Sequence, residues 1–433
     1  MSPLPSRPAP AEPLARADAR RPTTPAGSGL RARLATTFVS HGWLLPAFFP
    51  LALLGGRGAF NSLFFLYLLW AALAAPLWRH AWRTQGAERG LPLVLGGLFL
   101  AYLPSACLAL EPLRALEIWL RTLLYASVAP ITLAVLAQAP GKLQDLLRAL
   151  GIGAGAALLG CYADLAKTEW LHDAYVARLE LRAVDLPFCL PFLLGWLALS
   201  RPPAWRRAAI VAALAAVASF VVISDERGSL VGLLAALAGL GLLVMRAHPG
   251  RVVAAIAIVV AVAMALNGPA LLRGLTTEGA LFTQLDAFSS WRLSLWLQAL
   301  QNPPDNLWLG VGMGNVEHYA TVVTLNDHPV RHLHNLWLDA WYETGLLGLA
   351  ALLATLTYAF AQAARAWRRL ADAERVRAGL FLTAAIAVIA QTQFSISYAS
   401  REFNIYVFLC LAAVLHLGRQ AKPAPTPVAN TAA

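Results

Sequence analysis

Charge is scarce in this chain. Only 13% of its 433 residues are Asp, Glu, Lys or Arg, too few to coat the two or three soluble domains that the length would allow. Cysteine is scarcer still: Cys107, Cys161, Cys189 and Cys410 all fall inside apolar runs, with no CxxC pair and no metal-type spacing, which leaves them as small packing residues. No HExxH motif occurs, and no strand in a βαβ unit precedes the Gly-rich stretch LGVGMGN, so a zinc-protease helix and a dinucleotide fold are both disfavoured. The first thirty residues, rich in Pro, Ala and Arg, have almost no large apolar side chains and cannot build a core. They also lack the apolar stretch and small-residue cleavage site of a signal peptide, so the first membrane helix is expected to stay uncleaved.

What is abundant is apolar surface. Hydrophobic residues make up 58% of the chain and recur in windows of roughly 17 to 22, the length that crosses a bilayer as a helix. Twelve windows are read as spans: 34–54, 58–77, 91–110, 120–138, 150–165, 186–200, 208–224, 230–246, 252–268, 336–360, 379–395 and 403–418. The expected fold class is therefore an all-α polytopic membrane protein. The fifth window, short and Gly-rich, and the sixth, with two prolines, are expected to be kinked, because a membrane helix tolerates freed backbone groups only where they find new partners.

A net charge of +11 raises the possibility of a nucleic-acid partner, but the basic residues sort by side. With the N-terminus inside, the cytoplasmic segments hold 23 of the 34 Lys and Arg, which is the positive-inside asymmetry and puts both termini in the cytoplasm. Basicity here reports topology, and membrane lipid rather than nucleic acid is the expected surroundings. The boundaries that follow are a disordered N-terminal tail (1–33), nine membrane helices (34–268), one long outer loop (269–335), three more helices (336–418) and a C-terminal tail (419–433).

The long outer connection exceeds what most helix connections need, and such loops are usually functional. Within it, SSWRLSLWLQALQ reads as a helix capped by Ser289 or Ser290, with Trp291, Leu295 and Ala299 on one face. Its tryptophans and arginine suit a membrane interface. The glycines of GVGMGN read as a tight turn with unusual backbone angles. A second outer feature, SDERGS, places Asp225, Glu226 and Arg227 in a short turn between two spans, where Arg227 either meets the interface or folds inward.

The segment VRHLHNLWLDAWYETG sets His332 and His334 on one side of an extended chain at the edge of a span. Zinc is one use, but it needs a third ligand that the pattern does not supply. Capping the next helix or bonding loop carbonyls is a second, and proton exchange at the boundary of water and membrane is the third. Asn335, Asp339 and Glu343 follow at i, i+4 spacing as a polar stripe, expected to line a wet cavity facing the loop, since acids in a span are costly otherwise.

In order, SDERGS, SSWRLSLW, LGVGMGN and HLHNLWLDAWYETGLLGL resemble the O-antigen ligase family and its superfamily, which includes O-antigen polymerases and protein O-oligosaccharyltransferases. The motifs cover roughly residues 220 to 350, and the helix layout with one large late outer loop agrees over the whole length. The resemblance implies a GT-C-type glycosyltransferase working on the periplasmic face of a Gram-negative inner membrane. It implies an undecaprenyl-diphosphate-linked O-antigen donor, a lipid A-core oligosaccharide acceptor and inverting transfer without a metal or other cofactor. By motif position it assigns catalysis to His334 and substrate binding to Arg227 and Arg292; His332 and Asn335, on either side of the base, are read as further substrate-binding residues, His332 as a positioning neighbour. The chain departs from the commoner SRG form by having DERG, so acids flank Arg227.

The residues themselves support that chemistry. Guanidinium forks hold phosphate oxygens bidentately and can stabilise a diphosphate leaving group. An imidazole can take the acceptor hydroxyl proton. A covalent route through Asp225, Glu226, Asp339 or Glu343 stays open. Two other functions compete with ligation: polymerisation, which differs only in acceptor, and transport, which twelve helices would suit but for which neither an internal repeat nor a midplane polar site is visible.

Overall fold

The computed structural model describes residues 29–54, 56–76, 78, 89–168, 183–200, 203–224, 226–245, 280–319, 324–325 and 328–421. The expected span 252–268, most of both tails and Asp225 lie outside the described residues. In chain order the helices are α1 (Leu30–Ser40), α2 (Phe49–Leu54), α3 (Gly56–Leu73), α4 (Gly90–Cys107), α5 (Pro112–Ala126), α6 (Val128–Gln138), α7 (Lys142–Thr168), α8 (Leu186–Ser200), α9 (Pro203–Ile223) and α10 (Arg227–Met245). They continue with α11 (Ala280–Phe288), α12 (Arg292–Gln301), α13 (Val316–Tyr319), α14 (Leu336–Arg369), α15 (Asp372–Gln391) and α16 (Phe408–Gln420), the last preceded by a π-helical turn over Glu402–Val407. Two short strands, Thr324–Leu325 and His328–Pro329, pair antiparallel in the segment before the histidines.

Six of these stretches are long and apolar enough to cross a membrane: Gly90–Cys107, Pro112–Gln138, Lys142–Ala166, Ala204–Ile223, Leu336–Arg369 and Glu402–Gln420. Shorter apolar helices cover Gly42–Ala52, Gly58–Leu73, Leu186–Ala198 and Arg227–Leu243. Leu93, Leu100, Leu159 and Val211 stand exposed on helix flanks, as lipid-facing side chains do, while α16 is buried along nearly its whole length against α6, α14 and α15. The chain is a multi-pass helical membrane protein.

Three spans differ in form from the sequence expectation. The first, 34–54, is a broken path of α1, a 3-10 segment over Gly42–Phe48 and α2, because Pro46 and Pro50 each withhold an N–H from the helical ladder. The Gly-rich fifth span is instead a 27-residue helix, α7. A Cβ on its Gly151 would meet the Trp196 side chain and one on Gly153 the Ala47 carbonyl, so these glycines serve close helix packing. The tenth, α14, is broken at Gly345, whose φ of 65° and ψ of −170° belong to no helix.

That break organises one end of the molecule. A helix interrupted in a membrane frees carbonyls and N–H groups that need partners. Here the loop Leu307–Gly312 supplies them. Val311 N–H donates to the Tyr342 carbonyl (3.0 Å) and Gly312 N–H to that of Glu343 (2.9 Å), while Leu346 and Leu347 N–H donate to the carbonyls of Leu307 (2.8 Å) and Trp308 (3.2 Å). Ser105 Oγ adds a second donor to the Glu343 carbonyl at 2.7 Å. A Cβ on Gly345 would run into the Trp308 carbonyl group, so the loop seats only against glycine.

Candidate active site

At this end, a small apolar core separate from the main one gathers Leu295 and Ala299 of α12, Val311 of the Gly-rich loop, Val316 of α13, Val330, Leu333 and Tyr342. It is the platform on which the charged residues are mounted.

Arg227 opens α10. The Glu226 carboxylate accepts from the Ser229 N–H and so caps the helix, which is the local role of the acid where the commoner motif has Ser. Arg227 Nη1 donates to the Ala287 carbonyl at 2.6 Å, tying the α10 start to the end of α11. Helix α11 closes with a left-handed Ser290 at φ 59°, Trp291 N–H reaching back to Asp286 and Ser290 N–H to Ala287. That closure moves the start of α12 to Arg292, so Trp291 lies outside the helix and 45% exposed rather than on its apolar face. Ser289 does act as a cap, its Oγ accepting from the N–H of Arg292 (3.2 Å) and Leu293 (3.3 Å). The buried Asp286 carboxyl assists by accepting from Ser294 N–H at 2.9 Å.

Arg292 is the common neighbour of the set. Burial lowers its pKa, the Glu226 carboxylate opposes that, and the like charge of Arg227 adds to it. Its charge also contributes to depressing both imidazoles. Arg227, Arg292, His332 and His334 are thus linked through one guanidinium.

The two imidazoles lie with ring centroids 4.0 Å apart. Burial, then Arg292, brings His332 down to about 4, although its ring also donates to the Ser395 carbonyl. Burial, then His332, then Arg292, brings His334 down to about 2. Both rings are neutral at pH 7, and a neutral imidazole has a lone pair to accept a proton. His334 Nδ1 is buried and finds no hydrogen-bond partner among the described residues. His334 also holds a left-handed φ of 53°, uncommon outside glycine and a mark of functional sites.

Asn335 is the N-cap of α14, its Oδ1 accepting from Trp337 N–H (3.0 Å) and Leu338 N–H (3.1 Å). The stripe it begins does face the loop, but it is packed against protein instead of lining a wet cavity. Asp339 Oδ1 accepts from Leu333 N–H at 2.5 Å, and Glu343 accepts from the Gly314 N–H and from Tyr398 Oη at 2.7 Å. The acids are spent on backbone donors that the loop brings down. The GVGMGN glycines turn as expected, with φ of 68°, 98° and 71° at Gly310, Gly312 and Gly314.

Several contributors carry no signal in the sequence. The segment Gln391–Arg401 supplies Ser395 to His332, Thr392 to the Leu336 N–H (3.0 Å), and Gln391 Nε2 to Ser229 Oγ (3.1 Å). Glu317 pairs with Arg114 at 2.5 Å and with Arg331 at 3.3 Å, so two arginines meet one acid. Among the described residues no cluster of three His, Cys, Asp or Glu is spaced to hold a metal ion.

A multi-pass helical membrane protein with arginines and neutral histidines gathered at one end of its helices is the class that fold and site define. A family model described as O-antigen ligase matches residues 211–353, the stretch that carries Arg227, Arg292, His332, His334 and the break at Gly345. Through this segment the chain is similar to the O-antigen ligase family, within the ligase and polymerase superfamily. A comparison with curated proteins finds no match.

Proposed function

We propose that the protein is an O-antigen ligase of GT-C type: it moves O-antigen polysaccharide from undecaprenyl diphosphate to lipid A-core oligosaccharide at the periplasmic face of the inner membrane. The observation that carries this reading is the neutral His334, its Nδ1 buried and without a hydrogen-bond partner among the described residues, beside an arginine that couples it to a second. The remaining architecture in this reading is twelve spans with both termini cytoplasmic and the long loop on the periplasmic side.

In the reaction, Arg227 and Arg292 hold the diphosphate, and their charge offsets the negative charge that grows on it as the anomeric C–O bond breaks. The acceptor hydroxyl attacks the anomeric carbon from the opposite face, inverting it, and gives its proton to His334. An imidazole depressed to about 2 is a weak base. A diphosphate beside Arg292 counters the guanidinium charge that contributes to this depression, so His334 gains basicity when the donor is present. His332, tied to Ser395, keeps the neighbouring ring in place. Asn335 acts through the cap that starts α14.

The test is transfer in vitro, with the purified protein given lipid-linked glycan with and without lipid A-core. His334→Ala is expected to lose about 10²- to 10⁴-fold in kcat. Arg227→Lys and Arg292→Lys are expected to lose activity because a lysine lacks the planar fork. Normal ladders of capped product from all three variants would overturn the assignment, and chain growth without core would make the protein a polymerase.

A further inference from the structure

The leucine between the two histidines is the best-held residue of the site. Alternation sends its side chain the opposite way from the imidazoles, and Leu333 is fully buried in the small apolar core with Leu295, Val311 and Tyr342. Its backbone is held from two sides. Leu333 N–H donates to Asp339 Oδ1 from the first turn of α14, and its carbonyl accepts from Trp296 Nε1 of α12 at 2.8 Å.

We propose that Asp339 and Trp296 are positioning residues for His334: they clamp the Leu333 peptide groups and so fix where the two imidazoles stand relative to Arg292. The proposal rests on His334 being the base.

Three observations carry it. First, the left-handed backbone of His334 is strained and persists only where the surroundings over-determine it. The clamp fixes the peptide before His334, and the Asn335 cap fixes the residue after it. Second, Asp339 is fully buried and its Oδ2 finds no hydrogen-bond partner among the described residues, so the carboxyl bears a burial cost that its Oδ1 bond only partly offsets. Its Oδ1 is spent on the peptide between the histidines. Third, the clamp joins α12, which begins with Arg292, to α14, which follows the histidines. The two peptide groups of one residue thereby set the spacing of the phosphate-holding and proton-accepting groups.

The experiment measures kcat and donor KM of the full-length protein in lipid nanodiscs, with amide exchange at Leu333 followed by mass spectrometry. Asp339→Ala removes the acceptor and is expected to lower kcat by about 100-fold, the cost of a base misplaced by an ångström, with donor KM nearly unchanged. Asp339→Asn keeps an Oδ1 acceptor and is expected to recover most of the loss. Trp296→Phe keeps the ring packing without the N–H donor and is expected to lower kcat by about 10-fold, a bond worth roughly 1.4 kcal/mol. It guards against an Asp339→Ala protein that fails to fold.

A wild-type kcat in Asp339→Ala, a loss confined to KM, or an Asp339→Asn protein as impaired as Asp339→Ala would each overturn the clamp. The catalytic reading fails separately, if His334→Ala stays active. In that case faster Leu333 exchange in Asp339→Ala would show a structural clamp without the catalytic role, and unchanged exchange would remove the clamp as well.

Discussion

His334 gathers the consequences of its neighbours into one titration. Its pKa and that of His332 are depressed below 6.5, chiefly by burial, so the unfolded chain binds more protons than the folded one as pH falls below 6.5. The stability these rings contribute is present above 6.5 and is lost progressively as pH falls toward about 4, where His332 begins to charge in the folded state. The expected outcome is a thermal midpoint that drops between pH 6.5 and 4 and amide exchange around residues 330–336 that quickens over the same interval. His332→Gln should flatten part of that slope, which unfolding at stepped pH would reveal. At this scale the sequence announced the histidines and arginines, because unusual residue types at a span edge need no tertiary knowledge. It did not announce that Asp339 serves a peptide N–H or that Ser395 holds His332, since both partners come from elsewhere in the chain.

Among the elements, the broken helix α14 and the Gly-rich loop are one construction. The φ and ψ of Gly345 lie where other residues are essentially excluded, so Gly345→Ala is expected to cost roughly 1–3 kcal/mol in backbone strain, before its Cβ meets Trp308. Val311→Pro deletes the donor to the Tyr342 carbonyl and should cost a further roughly 1–3 kcal/mol for a buried group left unsatisfied. Both should lower the denaturation midpoint in detergent and, through the platform beneath the histidines, reduce transfer. A midpoint unchanged in either variant would mean that the loop is not what completes the helix. The glycines could be read as turns from GVGMGN alone. Their docking into a gap about thirty residues later could not, because ETGLLGL is apolar enough to pass for unbroken helix.

For the whole molecule, apolar runs were the legible feature, and described helices cover eleven of the expected windows at least in part. Boundaries were less so: two prolines broke the first, while packing glycines left α7 unbroken. The orientation is open to a direct measurement in a Cys107→Ser background, since Cys107 is the exposed native thiol. Trp308→Cys, at an exposed site, should react with an impermeant maleimide from the periplasmic side, and Ala371→Cys only after permeabilisation. Labelling with the reverse sidedness would invert the topology and remove the periplasmic reaction. The gap at Gly345 also bears on biosynthesis. Residues 307–312 leave the ribosome before the helix they complete, so in the proposed orientation their N–H and carbonyl groups cross before α14 arrives. The interrupted helix meets its missing partners on insertion instead of waiting in lipid with its polar backbone bare.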